Sequence, residues 1–152
     1  MEILAKIAPC GASMIELDIL RAPGKEEYTR IMFFKQRGYR NWERYAGPDA
    51  KIVRDTNDSL ISIDTSHASQ LPDVLSRAPE TAPVYLQPAE SLQLRVFIDR
   101  SVIEVFIIGK QCVTLRVYPG RADSLGVSLL AQGQDAALRK LDAWQMQSIY
   151  PA

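Results

Sequence analysis

Apolar residues recur at every second position along most of this chain. In residues 14–20, Ile15, Leu17 and Ile19 fall on one side and Glu16 and Asp18 on the other, the alternation of a strand with one buried and one solvated face. Residues 92–99, 102–108 and 112–118 repeat the pattern, with turns at Arg100-Ser101 and Gly109-Lys110 between them. Two short turns between three period-two runs predict a β-meander. Val96, Ile98, Ile103 and Val105 are its expected core residues, since β-branched side chains suit central strands. Further strands are expected over residues 2–7, 28–36, 51–54, 60–64, 127–132 and 138–146. In 28–36, Ile31 and Phe33 alternate with Met32 and Phe34, so both faces are expected to be buried. Trp144, alternating with Leu138 and Met146, is expected in or near the core. Residues 65–91 hold four of the nine prolines, Pro72, Pro79, Pro83 and Pro88, and read as a long ordered loop rather than sheet. No long apolar stripe of helical period interrupts the alternation. The expected class is all-β, with periodicity alone leaving open a two-sheet antiparallel β-sandwich or a closed barrel.

Composition narrows the setting. A chain of 152 residues, 47% hydrophobic and 24% charged, has the size and make-up of one soluble domain, expected over residues 1–152. Lys+Arg and Asp+Glu are equal at 18 each, which gives no electrostatic case for nucleic acid or an anionic membrane. No stretch is long enough to span a bilayer. Residues 1–12 carry Lys6 as their one cationic side chain and no sustained apolar run, unlike a secretory signal. Cys10 and Cys112 are read as reduced thiols, Cys112 as a small apolar strand residue. Together these favour a cytoplasmic setting, or an extracellular one for a module of a larger secreted chain.

The candidate chemistry is sparse. His67 is the only histidine, and it stands beside Asp64 and Ser66 without the Gly-x-Ser-x-Gly elbow of a hydrolase triad. An exposed loop histidine is expected. One histidine and two distant cysteines offer no metal-ligand spacing, and no metal or cofactor is expected. Asp99 and Glu104 flank a hairpin turn, where aspartate commonly sets the turn and the glutamate on the next strand faces solvent or bonds a nearby cation. Tyr39, Trp42 and Tyr45, interleaved with Arg37, Arg40 and Arg44, form the most suggestive cluster. Aromatic faces and guanidinium donors suit a sugar-contacting patch, a contact with another domain, or a Trp42 that plugs the core beneath solvated arginines.

The wording of the second half is more specific. The runs LRVFIDRSVIEVFIIGKQCVTLRVYP, DSLGVSLLAQG and LDAWQMQSIYP closely resemble the C-terminal β-sandwich module of glycoside hydrolase family 32, which includes invertases, levanases and inulinases. The resemblance implies two stacked antiparallel sheets of the concanavalin or jelly-roll kind. It also implies a catalytic β-propeller domain as partner, in the same or a separate chain. In that family the propeller carries the paired carboxylates that retaining glycoside hydrolysis requires, in motifs of the form Asn-Asp-Pro-Asn-Gly, Arg-Asp-Pro and Glu-Cys. Here Asn57-Asp58 is followed by Ser59, Arg54-Asp55 by Thr56, and Cys10 and Cys112 follow Pro9 and Gln111. No catalytic residue carries over, and this chain alone is expected to be inactive. The expected role is to stabilise or assemble with a β-fructosidase propeller. The alternative is a lectin-like module for fructans or sucrose, built on Trp42, Tyr39, Tyr45, Arg40 and Arg44. A homodimer is also expected to be accessible, through sheet edges or a bared face.

Overall fold

The computed structural model describes residues 1–37, 59–87 and 89–147. Ten strands follow one another: β1 (Glu2–Ala8), β2 (Met14–Arg21), β3 (Thr29–Phe34), β4 (Ser59–Asp64), β5 (Glu80–Val84), β6 (Leu92–Asp99), β7 (Val102–Ile107), β8 (Gln111–Arg116), β9 (Gly126–Gln132) and β10 (Ala137–Trp144). They form two five-stranded sheets, ordered β10-β1-β6-β7-β8 and β5-β4-β3-β2-β9. Every paired neighbour is antiparallel. Two separate sheets, each with two free edges, make a sandwich and not a closed barrel. No helix occurs among the described residues. The strand expected over 51–54 lies outside the described residues.

The core follows from the period-two pattern. Ile3, Ala5 and Ile7 of β1, Leu94, Val96 and Ile98 of β6, and Ile103, Val105 and Ile107 of β7 are buried on the first sheet. Ile15, Leu17 and Ile19 of β2, Ile31 and Phe33 of β3, and Ile61 and Ile63 of β4 are buried on the second. All of them belong to one apolar cluster. The expected meander forms as β6-β7-β8, with β6 at the centre of its sheet. Its second turn is centred one residue early. Lys110 N–H donates to Ile107 O at 3.0 Å, and Ile108 and Gly109 both have positive φ, 47° and 67°, as two-residue hairpin turns prefer. A β-branched residue there is strained. Ile108 is held by packing against the core and by donating its N–H to Gln93 O at 2.7 Å.

Four expectations are corrected. Residues 65–91 contain a strand, β5, with Pro83 opposite Leu60. It forms because β5 is the edge of its sheet, and an edge strand needs hydrogen-bond donors on one side only. Glu16 and Asp18, expected on a solvated face, are 5% and 0% exposed, because the neighbouring strand supplies Arg30 to neutralise them. Trp144, expected in or near the core, is 44% exposed, as are Leu138 and Met146 at 49% and 55%. The reason is position: β10 is an edge strand paired with β1 alone. Cys112, expected as a small apolar strand residue, is exposed because it alternates with half-buried Val113 on the edge strand β8. In β3 the inward face is buried, while Arg30, Met32 and Phe34 on the outward face are half-buried.

Candidate functional site

The outward face of the second sheet carries a compact charge network. Asp18 on β2 stands directly opposite Arg30 on β3. Arg30 Nε donates to Asp18 Oδ1 at 2.8 Å and Nη2 to Oδ2 at 3.1 Å, the two-pronged geometry that makes guanidinium–carboxylate pairs strong. The same Nη2 lies 3.0 Å from Glu16 Oε1, and Lys25 Nζ lies 3.7 Å from Asp18 Oδ2. The hydrogen bond to Asp18 raises the Arg30 pKa against the opposing effect of burial. Two carboxylates and two cations cancel, so the burial of Glu16 and Asp18 leaves no net charge. Arg30 also covers the Tyr28 ring at 4.6 Å, and Tyr28 stacks on His67 at 5.0 Å. With every partner supplied internally, this network is structural. A lone deletion of Arg30 would strand two buried carboxylates.

Among the described residues, Glu27 is the least solvent-exposed acidic group outside that network, at 0%. Its Oε1 accepts from Gln70 N–H at 2.7 Å and Gly120 N–H at 2.8 Å. Its Oε2 accepts from Arg121 N–H at 3.1 Å and Ser124 Oγ at 2.8 Å. Burial pushes this carboxyl up, but the bonds from Ser124, Gln70, Gly120 and Arg121 outweigh it and hold it below its ordinary value. One side chain therefore ties the segment after β4 to the segment after β8. The sequence offers no periodic signal for this, since Glu27 stands next to Glu26 in a polar turn.

A third feature is apolar. Leu138 and Leu141 pair across to buried Ile7 and Ala5, so they share the inward side of the first sheet, yet they are 49% and 43% exposed. The opposite sheet does not cover β10. Trp144 pairs across to Glu2 and faces the outer side, next to a row in which Phe97 meets Phe106 edge-on at 5.8 Å. Arg95 lies over Phe97 at 4.9 Å and donates to Glu2 Oε1 at 2.6 Å. Leu130 of β9, 49% exposed, stands opposite Glu16 on the outward face of the second sheet. Leu138, Leu141 and Trp144 thus leave apolar surface bare at the β10 edge, beside the Lys140–Asp142 ion pair, and exposed apolar surface of this kind marks an interaction site.

The sequence-predicted residues separate as follows. Tyr39, Trp42, Tyr45, Arg40 and Arg44 lie outside the described residues, and Arg37 is exposed. His67 is exposed, with its ring on Tyr28. Asp64 Oδ1 accepts from Ser66 N–H at 2.8 Å, closing a local turn and joining no triad. Asp99 is exposed and pairs across to Val102, while Glu104 pairs across to Phe97 and Thr114. Among the described residues no group of three His, Cys, Asp or Glu side chains is placed to hold a metal.

The described residues form an all-β sandwich of two five-stranded sheets around one apolar core. The model for the glycosyl hydrolases family 32 C-terminal domain matches residues 1–145, and the chain belongs to that family. It is 32% identical over 136 residues to a fructan 6-exohydrolase of Beta vulgaris, covering 84% of this chain and 19% of that protein. It is 31% identical over 142 residues to an insoluble β-fructofuranosidase isoenzyme of Arabidopsis thaliana, covering 91% of this chain and 22% of that one. The fold matches fructan 1-exohydrolase IIa from Cichorium intybus with a TM-score of 0.72 at 18% identity, over 96% of this chain and 30% of that structure. It also matches exo-inulinase from Aspergillus awamori at 0.65 and 16% identity, over 89% and 23%. The chain spans about a fifth of the length of the curated relatives it matches.

Proposed function

We propose that this chain is the non-catalytic sandwich of a β-fructosidase, which packs beside a catalytic propeller and stabilises it. The observation that carries the reading is the family match over residues 1–145 in a chain spanning about a fifth of its relatives. The absence from this sequence of the three carboxylate motifs supports it. So does the apolar surface round β10, because burying one large aliphatic or aromatic side chain contributes about 1.5–3 kcal/mol. A propeller laid against Leu138, Leu141 and Trp144 would gain from that burial. Without one, the same surface favours an isologous dimer of this chain.

The test combines the purified chain with a family 32 propeller expressed alone. By itself the chain should release no fructose from sucrose, inulin or levan. Mixed with or fused to the propeller, it should raise the propeller's melting temperature and its activity, and Leu141→Asp with Trp144→Asp should abolish both gains. Fructose release by the chain alone, abolished by a point change within it, would overturn the reading.

A further inference from the structure

Between β4 and β5 the chain runs past the free edge of β8, and a cleft of about 1020 Å³ separates the two. Leu71, Leu115 and Val117 give it an apolar floor, and Asp73, Arg77, Glu80, Thr114, Arg116 and Tyr118 give it a polar and aromatic rim. Tyr118 is 47% exposed, so its ring is available to a ligand. Thr114 and Arg116 share the outward face of β8, opposite Glu104 and Val102.

The end of this cleft beside Leu71 is anchored. Gln70 precedes Leu71 on one wall, and Gly120 and Arg121 follow Tyr118 on the other, and all three donate their N–H groups to the buried carboxylate of Glu27. Leu71 lies so close to Gly120 that a Cβ there would sit 2.9 Å from Leu71 Cγ. Spreading the walls at that end would break hydrogen bonds to a buried charge, so that end is preformed and binding need not order it. Its volume is at the top of the range for small-molecule sites, about 300–1,000 Å³.

The rim chemistry selects the occupant. Two guanidinium groups and two carboxylates cancel, so neither an anion nor a cation is favoured. Carboxylates accept, guanidinium groups donate and a hydroxyl does both, which is the complement that adjacent sugar hydroxyls present. Tyr118 and the leucines offer apolar surface to the C–H faces of a sugar ring. We propose that this cleft binds a short neutral oligosaccharide, independently of the surface round β10. An extended peptide, which would add to the bare edge of β8 through backbone hydrogen bonds, is the competing occupant.

The test is a calorimetric titration of the full 152-residue chain with 1-kestose, maltotriose and an unrelated extended hexapeptide. Saturable binding of at least one saccharide is expected, with no uptake of the peptide. Tyr118→Ala and Arg116→Ala change exposed side chains and should leave the melting temperature in place. Arg116→Ala should weaken binding about tenfold or more, the loss expected for a hydrogen bond to a charged group, and Tyr118→Ala about tenfold through lost burial of an aromatic ring. Trp42→Ala should bind like the parent. No saccharide binding at millimolar concentration would overturn the proposal. So would binding that survives both cleft variants, binding lost in Trp42→Ala alone, or peptide uptake in place of sugar.

Discussion

At Glu27, four donors converge on one carboxylate that water does not reach. Its pKa is depressed in the folded state, so the unfolded chain binds the proton more readily. The stability it contributes is complete above the unfolded value near 4.5 and fades as the pH falls through the lower, folded value. Glu27→Gln keeps the shape but turns an amide N–H₂ toward two of the donors. It should cost roughly 2–4 kcal/mol at neutral pH and flatten the decline of melting temperature below about pH 4.5. Thermal melts of parent and variant between neutral and acidic pH check both. Neither buried cluster was legible beforehand. Period-two alternation says which side of a strand a residue occupies, but not that Arg30 would arrive from the next strand to bury Glu16 and Asp18. Nor does it say that Gln70 and Gly120, 43 and 93 positions away from Glu27, would meet at one side chain. Pairings at such separations are products of the assembled fold.

Strands were readable where both their neighbours and their burial were regular. Val96, Ile98, Ile103 and Val105 are all buried, because β6 and β7 are internal and the alternation maps directly onto inside and outside. Val105→Asp places an unpaired carboxylate there and should cost roughly 4 kcal/mol or more, read as a large drop in the denaturant midpoint. A midpoint close to the parent would refute the assignment of β7. Edges were harder. Pro83 argues against sheet only if a strand has neighbours on both sides, and β5 has one. Leu138 and Leu141 follow the rule for a buried face, but no strand lies opposite to cover them. Register alone puts a side chain on the inward side of a sheet. Whether it is buried depends on how far the facing sheet extends.

For the molecule as a whole, the sandwich and its family were legible in the run from Leu94 to Pro119 and in the two runs that follow, because a three-stranded meander constrains its wording closely. The cleft beside β8 was not legible, since its walls come from segments without periodicity. One pairing described above also bears on how the chain reaches this state. Residues 2–8 form a ladder with residues 137–144, so the first sheet closes through contacts separated by almost the whole chain. Such separations slow folding, because loop entropy is lost before the contacts form. The β6-β7-β8 meander pairs over short separations, whereas the β1 edge stays unpaired and liable to misassociation until β10 has been made. A circular permutant that joins β10 directly to β1 and opens the chain in the 65–79 segment turns this longest-range pairing into a hairpin. It should refold faster than the parent in stopped-flow measurements, and an unchanged rate would show that closure of this sheet does not limit folding.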